Sequence, residues 1–273
     1  MSGARAEGAR VTVRDFAARK TRAERLVVVA AYDALFARLA DEGGVDAILV
    51  GDSLGNVIAG QESTISVTLD QMIYHGAAVA HGASRAMVIV DLPFMTYQVS
   101  EEQAMLNGAR VMRETGAQAL KLEGADEGAL RAVRALSRTG VPVMGHIGFT
   151  PQSVHALGGF RVQGREAEGA RRLVDEARRL EDAGAFSLVL ELVPTDAARA
   201  VSETLSIPTI GIGAGVGCDG QVLVLLDLLG LNDSFRPKFL KRYATLADDV
   251  RGAVRSFVEE VRDGRYPGTE HSF

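Results

Sequence analysis

The chain predicts an α/β fold, a (β/α)8 TIM barrel, and three observations carry that prediction. Short apolar runs alternate with longer stretches of helical period, and the alternation recurs about eight times. The runs are mostly continuous rather than alternating, which suits parallel strands covered on both faces. Length agrees: 273 residues is a common size for one such barrel. It suffices to bury roughly three quarters of the unfolded surface without disulfides. A doubly wound open sheet is the alternative that the same patterning allows.

Residues 26–31 form the first strand, with an amphipathic stretch at 32–43, and 47–50 the second, with a helix at 68–82. Strand 86–92 precedes helix 101–116, strand 119–122 precedes helix 127–139, and strand 141–147 precedes the long charged helix 166–183. Strands at 186–193, 209–212 and 222–226 complete the eight. Gly116, Gly140 and Gly184 stop three helices just before the next strand. Residues 148–165, with Pro151, Gly158, Gly159 and Gly164, are too glycine-rich for a helix throughout. Loops of that length in compact barrels serve as lids or binding segments. A helix at 244–262 follows the barrel, its apolar positions suited to packing against the body or a neighbour. The start, 1–11, reads as a flexible N-terminal tail without the apolar stretch of a secretory signal, leaving 12–273 as a single catalytic barrel domain.

Composition narrows the function. A net charge of −5 and a pI near 5.6 argue against a nucleic-acid surface, as does the absence of Trp. No run of about 18 apolar residues offers a membrane span. The single cysteine, Cys218, excludes an internal disulfide and a thiolate zinc cluster, and fits a cytoplasmic protein.

Chemistry on a barrel sits where its strands end. Asp52 and Ser53 follow the second strand, Asp91 ends the third, and Lys121 and Glu123 flank the end of the fourth on one face. His146 lies near the end of the fifth and Glu191 near the end of the sixth. Singly, most have a structural explanation: Asp52 and Asp91 as turn or cap residues, Lys121 and Glu123 as an ion pair, His146 as an interior histidine. Glu191, inside an apolar strand, must be paired or purposeful. Together they describe one polar rim. Two carboxylates about 4 Å apart repel by about 4 kcal/mol at an effective dielectric near 20. A shared divalent cation removes that cost, and oxygen ligands suit magnesium. His75 and His81, six apart, do not share a helix face, and His155 lies in the glycine-rich loop. Residues 215–220 fit G-x-G-x-x-G, but late in the chain and with Leu240 where an acidic partner belongs. Their glycines suit close approach of backbone to the site.

The runs at 49–55, 90–97, 121–124, 145–148, 150–153, 158–165, 211–215 and 266–273 together resemble the ketopantoate hydroxymethyltransferase family. The resemblance extends over essentially the whole chain from about Thr12. It implies a phosphoenolpyruvate/pyruvate-type barrel with an added C-terminal helix, assembled as a homodecamer of two pentameric rings. It also implies one magnesium ion per subunit and 5,10-methylenetetrahydrofolate as co-substrate. The implied reaction transfers a hydroxymethyl group to 3-methyl-2-oxobutanoate, giving 2-dehydropantoate through a magnesium-stabilised enolate, in pantothenate and coenzyme A biosynthesis. In that chemistry Asp52 and Asp91 hold the ion, with Glu123 bonding it through water, while Asp52, Ser53, Asp91 and Lys121 contact the 2-oxo acid. Glu191 is the base for the C3 proton, His146 orients a substrate or product hydroxyl, and Arg161 or Arg165 meets the folate tail. A lyase acting on a related 2-oxo acid, or a barrel that only binds one, are the alternatives.

Overall fold

The computed structural model describes residues 8–273, in two compact units, the barrel through Val224 and a C-terminal unit, Leu225–Phe273. In the barrel, eight strands run β1 (Leu26–Ala30), β2 (Ala47–Val50), β3 (Met87–Asp91), β4 (Ala119–Lys121), β5 (Val143–Gly148), β6 (Ser187–Glu191), β7 (Thr209–Ile212) and β8 (Gly220–Val224). Every neighbouring pair is parallel, and β8 returns to β1 with Leu26 opposite Gly220 and Ala30 opposite Val224. Closure rules out the open sheet. β2, β3 and β4 are buried at every position, as continuous apolar strands between core and helices must be.

The helices are α1 (Val13–Thr21), α2 (Ala34–Glu42), the single turn α3 (Leu54–Val57), α4 (Leu69–Gly82), α5 (Glu101–Thr115), α6 (Glu127–Arg138), α7 (Ala167–Ala183) and α8 (Thr195–Thr204). Gly116 and Gly184 cap α5 and α7 in the left-handed conformation, as expected. Besides the single turn α3, two of these helices have no counterpart in the sequence reading. α1 buries a single side chain, Phe16, edge-on to Phe186 at 5.6 Å, so it has no apolar period to detect. Its start is held by Asp15, whose carboxylate accepts from the N–H and hydroxyl of Thr12, both at 2.7 Å. α8 begins straight after Pro194, in the link from β6 to β7. Of the expected tail, residues 1–7 lie outside the described residues. Arg10 and Val11 are tied down: Val11 N–H donates to Arg85 O at 2.7 Å, and the Arg10 guanidinium donates to Ala83 O at 2.6 Å.

Asp41, near the end of α2, organises the chain ahead of β3. Its carboxylate accepts from the N–H groups of Ser84, Arg85 and Ala86 and from the Ser84 hydroxyl. Burial works against its charge, but these donors outweigh it and hold the carboxyl below its ordinary range.

β8 begins two residues earlier than the apolar pattern indicates, because Gly220 joins the sheet. A Cβ there would fall 2.5 Å from Leu26 O and 2.8 Å from Ile210. Gly215 and Gly217 likewise make room for Thr195 and Arg199 of α8. The glycines of the G-x-G-x-x-G match therefore serve packing, a correction to the expectation that they admit backbone to the site. Cys218 is fully buried just ahead of β8.

In the C-terminal unit, α9 (Leu225–Leu228) leads to α10 (Leu246–Arg262). Tyr243 N–H donates to Leu228 O at 2.9 Å and Leu246 N–H to Leu229 O at 3.1 Å. α10 exposes Val250, Val254, Phe257 and Val261 at 46–55%, a stripe along successive turns.

Gly220→Ala is expected to destabilise by about 1–3 kcal/mol, the cost of forcing extra volume into a packed site. Gly252→Ala, in α10 where a Cβ would meet open space among the described residues, is expected to stabilise by up to about 1 kcal/mol. Urea unfolding of the two variants checks both signs.

Candidate active site

Strands β2 to β6 deliver the six charged residues anticipated from the sequence to one place. Asp91 and Lys121 are register partners that end β3 and β4, His146 lies within β5, and Glu191 ends β6. Asp52 and Ser53 follow β2 through Gly51, where a Cβ would lie 2.8 Å from Ser53 Oγ; glycine lets the turn fold tightly onto its own serine. Ser53 Oγ is 2.8 Å from the Tyr32 hydroxyl.

Lys121 Nζ lies 3.1 Å from Asp91 Oδ1, 3.7 Å from Glu123 Oε1 and 3.2 Å from His146 Nδ1. His146 lies between two carboxylates, with Nδ1 3.3 Å from Glu123 Oε1 and Nε2 3.3 Å from Glu191 Oε2. Asp52, Asp91, Lys121, Glu123 and His146 are all buried, whereas the Glu191 side chain is 19% exposed. Leu192, next to Glu191, takes φ 48°, a left-handed conformation that is strained for a branched residue and fixes the direction in which β6 ends. The long loop is fastened to that same end, Phe149 N–H donating to Glu191 O at 2.8 Å and Gln163 N–H to Leu192 O at 2.9 Å.

Three carboxylates are each held by one oxygen. Asp52 Oδ2 accepts from Gln152 Nε2 at 2.9 Å, Asp91 Oδ2 from the Asp52 N–H at 3.1 Å, and Glu123 Oε2 from the Gln152 N–H at 3.0 Å. Asp91 Oδ1 and Glu123 Oε1 are buried without an aligned hydrogen bond among the described residues, although cations lie within ion-pair reach. Gln152 and Tyr97 were not singled out from the sequence. Both fall inside runs that carried the family resemblance, and a buried glutamine after Pro151 is the trace they leave.

The charges do not balance: four carboxyl groups face one lysine and one histidine. Burial pushes the Asp52 carboxyl well above its usual range, and the charges of Glu123 and Asp91 push the same way. Asp91 is raised by burial too, with Lys121 opposing. Burial opposes the charge on Lys121, but the field of Asp91, Glu123 and Asp52 wins and holds it above its ordinary value. His146 is raised to about 9: burial and Lys121 work against its charge, and Glu123 and Glu191 outweigh them. The two carboxylates thus favour its charged form, in which both ring nitrogens donate. Glu123, disfavoured by burial, is kept ionised by His146 and Lys121.

These features suit a hard divalent cation. Excess buried carboxylate supplies the charge, and the oxygens left without hydrogen bonds supply donors. Among the described residues no three His, Cys, Asp or Glu side chains converge into a full cage. Magnesium does not require one, since it is commonly held by one or two carboxylates with waters and ligand oxygens.

The raised carboxyls make a pH prediction. A group whose pKa is higher folded than unfolded stabilises fully below its unfolded pKa, and that contribution is lost as pH rises through the folded value. With chelator present, the parent should therefore lose stability through Asp52 as pH rises above the ordinary carboxylate range. Asp52→Asn, which can still accept from Gln152, should raise the thermal midpoint at pH 8 more than at pH 5. Equal shifts at both pH values would contradict the charge imbalance.

A family model described as ketopantoate hydroxymethyltransferase matches residues 10–269. The chain is 56% identical over 269 residues to the 3-methyl-2-oxobutanoate hydroxymethyltransferase of Oleidesulfovibrio alaskensis, covering 98% of this chain and 92% of that protein. It is 53% identical over 264 residues to the enzyme of that name from Pelobacter propionicus, covering 97% of each. Its fold is similar to that of phosphonopyruvate hydrolase in complex with oxalate and Mg++ (TM-score 0.62, 14% identity, 96% of this chain and 93% of that one). It is also similar to 2,3-dimethylmalate lyase, a PEP mutase/isocitrate lyase superfamily member (TM-score 0.60, 18% identity, 96% and 91%). Those two likenesses bear on the barrel alone, but the match along nearly the full length of the sequence goes further: the chain belongs to the ketopantoate hydroxymethyltransferase family.

Proposed function

We propose that the chain transfers a hydroxymethyl group from 5,10-methylenetetrahydrofolate to 3-methyl-2-oxobutanoate, giving 2-dehydropantoate for pantothenate and coenzyme A synthesis. Family membership supports the reaction, and one geometric observation supports the roles. Of the six clustered residues, Glu191 alone is partly exposed, held on one side by His146 Nε2 at 3.3 Å.

Asp52 and Asp91 would hold magnesium, with Glu123 reaching it through water, and the ion supplies Lewis acidity toward the keto oxygen. Lys121 and Ser53 bind and orient the substrate carboxylate, a charge-assisted contact for the buried ammonium. Glu191 takes the C3 proton. His146, whose charged form Glu123 and Glu191 favour, holds Glu191 in place and presents an N–H to an incoming or product hydroxyl. Two carbon–nitrogen bonds of the folate break in the transfer: water oxygen replaces one nitrogen on the methylene carbon, and the C3 electron pair replaces the other. The two folate nitrogens take up one proton from water and the one that Glu191 removed from C3. Phe149 and Gln163 set the long loop beside Glu191, and the same reading gives that loop the folate, with Arg161 or Arg165 against its anionic tail.

The reading includes a cytoplasmic homodecamer. The exposed apolar stripe of α10 is support for assembly, since such faces mark interaction surfaces. No helix among the described residues is long and apolar enough to cross a membrane.

Proton NMR of the 2-oxo acid in deuterium oxide tests the assignment. The parent should exchange the C3 proton with magnesium present and yield the hydroxymethylated product only when methylenetetrahydrofolate is added. Carbon–carbon cleavage without folate would indicate a lyase, and binding without exchange a non-catalytic barrel. Glu191→Gln should lose exchange by about 10²–10⁴-fold, the range for a general base, while still binding the cation. Asp91→Ala should lower turnover by at least about 10²-fold, the scale of losing one stabiliser of developing charge.

A further inference from the structure

Gln152, which has no role above, joins two of the site's carboxylates. It lies on the turn Pro151–Ser153 that follows β5, and it is buried. Its backbone N–H holds Glu123 Oε2 at 3.0 Å, and its Nε2 holds Asp52 Oδ2 at 2.9 Å and Leu92 O at 3.0 Å. One residue thus fixes carboxylates that arrive from β2 and β4, on strands that are not neighbours in the barrel.

The amide has only one workable orientation. Asp52 Oδ2 and Leu92 O are both acceptors, so the nitrogen must face them. The oxygen faces donors, lying 2.9 Å from the Tyr97 hydroxyl and 3.2 Å from Gln98 Nε2. Turned over, the amide would set oxygen against two acceptors and nitrogen against a second amide nitrogen. Tyr97 is itself tied to the backbone of the residue whose carboxylate it helps to place: its hydroxyl accepts the Glu123 N–H at 3.1 Å, and its proton lies between Gln152 Oε1 and the Glu123 carbonyl oxygen, the latter at 3.0 Å. Burial, with the charge of Glu123, holds that hydroxyl in its protonated form.

We propose that Gln152, oriented by Tyr97, is a positioning residue that sets the spacing of the Asp52 and Glu123 carboxylates for cation and 2-oxo acid. This rests on the reaction assigned to the site above. A residue that merely fills space could be exchanged for an unbranched apolar side chain of the same length. Gln152 could not, because that exchange frees Asp52 from its only side-chain hydrogen bond among the described residues.

The test is a magnesium titration followed by thermal shift without substrate, alongside C3 exchange in deuterium oxide. Gln152→Met should raise the half-saturating magnesium concentration at least about tenfold and slow exchange to a similar degree. Gln152→Glu, isosteric but placing a second carboxylate against Asp52, should show the same loss and serves if the methionine variant does not fold. Tyr97→Phe should raise the magnesium requirement severalfold alone and add clearly less than that in the Gln152→Met background, because the part of its action that runs through the amide is already lost there. A parent that shows both cation shift and exchange, with Gln152→Met matching it, overturns the positioning role alone. Additive losses in the double variant do so too. A parent that shows neither shift nor exchange overturns the reaction assignment, and this role with it.

Discussion

Burying several carboxyl groups side by side at the mouth of the barrel is the constraint around which the rest of the site is arranged. Repulsion between such groups and loss of their water both act against the folded state. Asp41 shows how the same chain treats a carboxylate whose task is structural: four donors converge on it and hold it ionised. The mouth is treated otherwise. Among the described residues, Asp52, Asp91 and Glu123 each receive an aligned hydrogen bond on one oxygen only, and Lys121 and His146 neutralise part of the remaining charge. The difference separates a group that has been satisfied from a group kept available.

The barrel explains how such a cluster can exist at all. Ends of β2 to β6 are set side by side by parallel hydrogen bonding, and the apolar strands behind them fill the interior so that the polar tips have nowhere else to go. Rigid strands also hold the reacting groups more tightly than loops would. The exception is instructive, since the turn at Pro151–Ser153 belongs to a loop yet is as buried as a strand through Gln152. The structural likeness to a hydrolase and a lyase at 14–18% identity fits this view: the scaffold is shared, and the chemistry is written in the tips.

Much of this was legible in the sequence, for physical reasons. Strands buried on both faces must be continuous apolar runs, so all eight could be found, and polar residues at their ends then fell onto one rim without any coordinates. α1 left no periodic trace because it buries only Phe16. The start of β8 was misplaced because Gly220 and Gln221 contribute no apolar pattern, although a side chain at 220 has no room. Gln152 and Tyr97 stayed hidden for a different reason: their importance lies in mutual orientation, which spacing along a chain does not encode. The glycines at 215, 217 and 220 show the converse, a motif whose spacing is right and whose surroundings, Thr195, Arg199 and Leu26, give it another meaning.

Cys218 sits fully buried where the last strand completes the cylinder, between the edges offered by β1 and β7. Because it is the chain's one sulfhydryl, that junction carries a built-in sentinel. An alkylating reagent reaches the sulfur only when the junction comes apart. The rate of labelling in native buffer therefore reports how often the cylinder breathes open at its final seam, separately from events at the mouth.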